Sequence, residues 1–208
     1  MDDYKVGSII SFGGYDWRVL DIQNNAALII TEDIIEHRAY HDTYQDITWA
    51  DCSLRKYLNG EFYDRFSEAD KSRIIPTLNQ NLDNQWYGTM GGADTQDNIF
   101  LLSLEEAVCR YFGDSSSKLH NPGKNQRYWF ERKDENNGKR CAQFKKRTTW
   151  YWLRSPGRVS KKAVYIHGDG NIGIQGNNIF KGNIDDFYYE GVKYMGGVRP
   201  ALRLTPEA

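Results

Sequence analysis

Polar and apolar positions near the start of the chain follow a strand-like rhythm. Ser8–Phe12, Asp16–Ile22 and Ala26–Thr31 are apolar or alternating, and Gly13-Gly14 and Gln23-Asn24-Asn25 separate them. Glycine and asparagine supply the positive φ that tight hairpins need, so the pattern predicts a β-hairpin or meander. Trp17 and Val19 alternate loosely with Arg18 and Leu20, as in a sheet covered on one side.

The period then lengthens. Leu54, Tyr57, Leu58, Phe62 and Phe66 recur at spacings of three and four, which predicts two short helices broken at Asn59-Gly60. Ser67 is an expected N-cap, with Asp70 in the first turn and a stop at Pro76. Ile99–Leu102 reads as a short strand entering a helix. Ser103 and Glu106 form the S-x-x-E capping box of that helix, and Gly113 stands at its far end. Residues 114–149 lose periodicity, and strand patterning returns at Tyr151–Arg154, Ala163–His167, Ile172–Gln175 and Val198–Leu204. The expected architecture is α+β: one domain over 1–208, with an irregular basic insertion at about 114–149.

Composition narrows the function classes. A formal net charge of −1 excludes a global field that would recruit nucleic acid or anionic membrane. No apolar run approaches the ~20 residues of a membrane span. The acidic opening, "MDDYKVGSIISF", has no basic n-region or apolar core, which predicts a protein kept in the cytoplasm or associated with a phage. Three cysteines (Cys52, Cys109, Cys141) without a CxxC pair predict reduced thiols and no disulfide framework.

Several blocks carry a resemblance. "FGGYDWRVLDI", "LRKYLNGEFYDRFSEADKSRI", "WYGTMGGADTQDNIFLLSLEEA", "WLRSPG" and "GGVRPALRL", in this order, closely resemble a bacterial domain family of unknown function that is common in gut Firmicutes. The C-terminal blocks are also similar to the C-type lectin fold, in the version used by the variable proteins of diversity-generating retroelements and by formylglycine-generating enzymes. That resemblance implies N- and C-terminal strands paired in one sheet, short flanking helices and a long, loop-rich second half. It also implies a binding face over about 158–191. On this reading Trp150, Trp152 and Leu153 anchor the last sheet. Tyr165, His167, Asp169, Asn171, Gln175, Asn177 and Asn178 are displayed, with Asn171, Gln175 and Asn177 exposed.

The candidate chemistry is thin. His37 and His41 are four apart but lack the H-E-x-x-H arrangement, so they read as surface or packing histidines. Asp169 and Asn171 offer two oxygens where calcium takes six to eight, and the loop and triplet motifs of calcium-binding lectins are missing. Ser155 is not in a G-x-S-x-G elbow, and no cysteine follows Cys141. From Lys124 to Arg147 nine basic residues face three acidic ones, interleaved with aromatics. This patch reads as solvated surface rather than a nucleic-acid interface. Arg154 and Arg199, in apolar strands, are expected to pair with carboxylates or carbonyls. The resulting expectation is a non-enzymatic module recognising a protein or glycan, without metal or cofactor. The alternative is an enzyme, or its accessory subunit, on a formylglycine-generating-enzyme-like scaffold.

Overall fold

The computed structural model describes residues 4–123, 129, 134–180 and 195–206. The middle of the basic insertion and the far part of the 158–191 face lie outside the described residues. The architecture is mixed α+β, with short helices around two five-stranded sheets.

The first sheet has the order β1 (Ile9–Phe12), β2 (Tyr15–Gln23), β3 (Ala26–Thr31), β14 (Ala201–Leu204), β5 (Ile74–Ile75). The N-terminal meander forms as expected. Gly13 and Gly14 take φ of 56° and 83°, and Asn24 and Asn25 take 50° and 60°. These are the left-handed conformations that a two-residue hairpin turn requires. The N- and C-terminal strands share this sheet, but β14 pairs directly with β3, which separates it from β1 and β2. Tyr4 Oη donates to the Thr205 carbonyl at 2.8 Å, which ties the segment before β1 to the residue after β14.

The second sheet has the order β12 (Ile172–Asn178), β11 (Lys162–Ile166), β10 (Tyr151–Pro156), β13 (Gly196–Val198), β4 (Glu36–Arg38). The expected strand Val198–Leu204 is therefore two strands in two sheets, divided at Arg199-Pro200. β3 and β4 cross between the sheets beside it. Thr31 N–H donates to the Pro200 carbonyl and Ile35 N–H to that of Val198, each at 3.0 Å. Arg199 pins this corner: Nε donates to the Thr31 carbonyl at 2.9 Å and Nη2 to that of Glu32 at 3.2 Å. Its guanidinium lies 5.6 Å and 5.3 Å from the ring centroids of Phe112 and Tyr151.

The helical stretch behaves differently at one point. α1 (Ser53–Tyr57) does not break at Asn59-Gly60 but continues through a π-turn (Leu58–Phe62) and a 3-10 turn (Tyr63–Arg65). Asn59 bridges outward instead, donating to the Ile99 carbonyl at 2.8 Å and accepting from Asn98 N–H at 2.8 Å. Ser67 caps α2 (Glu68–Arg73) by accepting from Asp70 N–H at 3.1 Å. The capping box closes reciprocally, Ser103 N–H to Glu106 at 2.8 Å and Glu106 N–H to Ser103 Oγ at 3.1 Å. Ile99–Leu102 is a buried extended segment rather than a strand, with one bridge, Phe100 to Ala201.

One hydrophobic cluster joins both sheets and the helices, with Trp17, Trp49, Trp129 and Trp152 wholly buried. Leu153 is buried with Trp152, whereas Trp150, just before the central strand β10, is half-buried. Arg154, 2% exposed, donates to Glu106 at 2.5 and 3.0 Å, to the Leu101 and Gln80 carbonyls, and to Asn81 Oδ1. Burial pushes the Glu106 carboxyl up, but the Arg154 charge and hydrogen bonds outweigh it and hold it below its ordinary range. Among the described residues no helix is long and apolar enough to cross a membrane.

Two stability measurements follow. Trp152→Ala is expected to cost about 3–5 kcal/mol by denaturant unfolding, from lost burial and the cavity left behind. Arg154→Leu is expected to cost about 3–5 kcal/mol because it strands Glu106 inside the protein, and the double variant with Glu106→Leu should recover part of that loss.

Candidate functional site

The residues expected to form a display face differ widely in exposure. Tyr165 is 6% exposed, with its ring 5.4 Å from that of Trp150 and lying where a Cβ on Gly173 would stand. Burial pushes its phenol up to about 12. Asn171 is 2% exposed, which corrects the expectation that it faces water. Its amide donates to Asp169 Oδ2 at 2.9 Å, and its Oδ1 accepts from Asn137 at 2.7 Å. Beneath it Arg140, fully buried, donates to the Gly170 carbonyl at 2.9 Å and to Asp134 at 2.6 Å. Gln175, Asn177 and Asn178 are half-buried, and Gln175 donates to Tyr165 Oη at 3.3 Å. His167 and Asp169 alone are exposed, and they contact each other at 3.0 Å. The 167–171 turn is thus built as a rigid polar joint, bound to α4 (Asn137–Arg140).

The larger opening lies on the other edge of the same sheet. A cleft of about 570 Å³ runs between β4 and α1 and reaches Phe180 and Met195. β4 is the edge strand of this sheet, and its Glu36 and Arg38 line the cleft. α1 is held opposite by Arg55, which binds the buried Asp97 carboxylate at 2.6 Å; Asp97 also accepts from Trp49 Nε1 and Asn79. Two rows of polar side chains therefore face each other from fixed backbones.

Those side chains are mutually braced. Arg38 binds Glu36 at 2.9 Å, approaches Glu61 at 3.8 Å and stacks 3.4 Å over the Tyr57 ring. Tyr57 Oη donates to Glu36, and burial together with that carboxylate pushes the phenol up to about 12. Lys56 and Asp42 complete the charged lining and form no ion pair with described residues. The cleft thus presents guanidinium, carboxylate and phenol groups braced by one another, with the exposed Lys56 ammonium beside them and an apolar end at Phe180 and Met195.

His41 and Ser53 also line it, with Ser53 Oγ 3.0 Å from His41 Nδ1. The Ser53 backbone N–H donates to that same nitrogen at 3.2 Å, so its one in-plane lone pair is already used. With Nδ1 accepting, the imidazole carries its proton on Nε2, where Thr43 Oγ1 can accept it at 3.1 Å. This is a clamp holding the start of α1, not a base free to activate the hydroxyl. Ser155 is likewise structural, accepting from Leu104 N–H at 2.9 Å. Cys52 is buried beneath the cleft, accepts from Arg55 N–H, and is pushed up to about 12 by burial, so it is a poor nucleophile.

Sequence reasoning singled out "EHR" for its histidine and passed over Glu36 and Arg38. Their spacing of two on a strand, and Tyr57 and Glu61 four apart on a helix, were the available signals.

His37 and His41 are both held below their ordinary value of 6.5, His37 by burial and the nearby Lys145, His41 by burial and Lys56 against the opposing Asp42. As pH falls the unfolded chain therefore takes up protons before the folded one. Stability should hold above pH 6.5 and fall as pH drops below it, and His41→Gln should flatten that slope in urea unfolding at pH 7.5 and 5.5. Asn171→Ala should cost about 1–3 kcal/mol, because it leaves buried partners unpaired. An Asn177→Ala change should stay within about 0.5 kcal/mol.

No curated protein and no solved structure matches the chain. The pattern of one family, described as "Domain of unknown function (DUF6273)", matches residues 24–206, a span that holds the β4–α1 cleft, the Arg199 corner and the Arg154–Glu106 pair. The chain belongs to the DUF6273 family.

Proposed function

We propose that this domain is a non-enzymatic binding module on a C-type-lectin-like scaffold, and that it recognises a saccharide in the cleft between β4 and α1. The scaffold reading is supported by the shared sheet of the N- and C-terminal strands and by the helices that follow the first meander. The observation that carries the binding reading is the braced set Glu36, Arg38, Tyr57 and Glu61. These planar donors and acceptors are held in place before any ligand arrives. Pre-ordered polar groups lower the entropic cost of binding, and they match vicinal hydroxyls that accept and donate at once. The apolar end at Phe180 and Met195 suits the C–H face of a sugar ring.

The enzymatic alternative has less support. It would use Ser53 and His41, and the imidazole lone pair is committed to the backbone of α1.

The test is a titration of the labelled protein with neutral and acidic hexasaccharides, followed by amide chemical shifts. Shifts are expected at Arg38, His41, Ser53 and Tyr57. An Arg38→Ala/Glu61→Gln variant should bind about tenfold more weakly, the size of effect given by losing one charged hydrogen-bonding centre. Shifts confined to residues 167–171, or none with any saccharide, would refute the assignment.

A further inference from the structure

Arg154 and Arg199 are buried with their guanidinium groups matched by carbonyls or a carboxylate. Arg203 is not. It lies on β14, opposite Leu28 of β3 and Ile75 of β5, and is half-buried between those apolar neighbours. Among the described residues it forms no ion pair, side-chain hydrogen bond or ring contact. A guanidinium partly withdrawn from water without a partner is costly, so its surroundings are worth following.

Arg203 lines a second cavity, of about 290 Å³, which shares no residue with the β4–α1 cleft. The charges of its lining pair off everywhere else. Arg110 Nε binds Glu105 at 3.1 Å, and Arg154 binds Glu106 at 2.5 and 3.0 Å. Arg203 is the cation left over. Tyr111 lines the same cavity, and its Oη has no hydrogen-bond partner among the described residues. Burial and the Glu106 carboxylate push that phenol up, and the Arg203 charge is near enough to oppose them, so the hydroxyl stays a protonated donor at neutral pH. The rest of the lining includes the buried Phe100 and two exposed leucines, Leu78 at 70% and Leu82 at 45%. A lone exposed leucine means little. Here two of them share a cavity with an unmatched arginine and an unmatched phenol.

We infer that this cavity binds a small monocarboxylate with an apolar body, its carboxylate on the Arg203 guanidinium and the Tyr111 hydroxyl and its carbon skeleton against Leu78, Leu82 and Phe100. A guanidinium fork matches the two oxygens of a carboxylate with parallel hydrogen bonds. One uncompensated cation calls for one negative charge, and Glu105 and Glu106 in the same lining oppose a dianion such as phosphate. The volume stands at the small end of ligand pockets, which suits an acid of amino-acid size. A free acid and the C-terminal residue of a peptide present this same chemistry, and the test separates them.

The labelled chain is titrated with isocaproate, isocaproamide, acetate, inorganic phosphate and an acetylated tripeptide ending in leucine, with amide shifts followed at Leu78, Tyr111 and Arg203. Isocaproate should bind about tenfold more tightly than its amide, the size given by a charge-assisted hydrogen-bonded pair. It should exceed acetate by about as much, from the buried methylenes. Arg203→Leu should lose about tenfold in affinity while its Tm equals or exceeds that of the unaltered chain, since no native partner is lost. Arg203→Lys keeps the charge but not the fork, so it should also bind more weakly, and it serves if the leucine variant does not fold. Tyr111→Phe should weaken binding about threefold. If the amide binds as well as the acid, or both Arg203 variants keep the affinity, the arginine does not hold the ligand and the inference fails. If acetate or phosphate binds as well as isocaproate, the site takes bare anions and the apolar assignment is overturned. If no acid shifts these residues, the cavity is not a carboxylate site. Tighter binding of the tripeptide than of isocaproate assigns a chain end, and the reverse assigns a free acid. Saccharide shifts at Arg38 and Tyr57 are untouched by any of these results, so the two sites stand or fall separately.

Discussion

The two sheets are one structure because Arg199 holds the place where they meet. Two neighbouring strands leave the first sheet and enter the second at the same point, and a paired turn of this kind strands backbone carbonyls on its inner side. Arg199 takes up those of Thr31 and Glu32, and its charge rests between two aromatic faces. No carboxylate is needed beside it: carbonyl dipoles and ring quadrupoles replace the water it has lost. β4, and with it one wall of the cleft, is aimed by that corner.

The other buried charges follow the same logic at different places. Arg154 gathers Glu106 and the carbonyls of two separate extended segments against β10. Arg140 and Asp134 fix the ground under the 167–171 turn. Burial alone pushes the Asp134 carboxyl up, yet the Arg140 charge and hydrogen bonds keep it below its ordinary range, so the pair stays ionised. A fold with many irregular segments is given definite edges by these arginines rather than by long helices or strands. A rigid edge strand and a rigid helix are what a small open cleft needs in order to keep its shape.

Local chemistry was legible in the sequence wherever a side chain serves backbone a few residues away. Ser67, the Ser103–Glu106 box and the Gly13-Gly14 and Asn24-Asn25 turns all stand as their residue types predict. Arg154 and Arg199 could be read as paired groups because an unpaired charge inside a strand is too costly, although their partners could not be named. What was hidden depends on distant contacts. Asn171 looks like a solvated turn residue until Asn137, brought over by α4, removes it from water. Asn59 looks like a breaker until the segment at 98–99 gives its amide a use. The cleft joins Glu36, Tyr57, Phe180 and Met195, and no periodicity relates those positions.

The hydrogen bond between Tyr4 and Thr205 bears on how such a domain can be carried within a longer polypeptide. Arg73 reinforces it, with one guanidinium nitrogen 3.0 Å from Tyr4 Oη and 3.3 Å from the Thr205 carbonyl. Chain entering at one residue and leaving at the other would do so at neighbouring places on the surface, about one tyrosine side chain apart. Spliced into a loop of a host protein, the domain would span a gap no wider than that loop already bridges. The host would lose almost no closure entropy, because the guest closes the loop itself. The cleft could then be carried on another protein's surface like a bead on a knot, with neither fold required to open for the other.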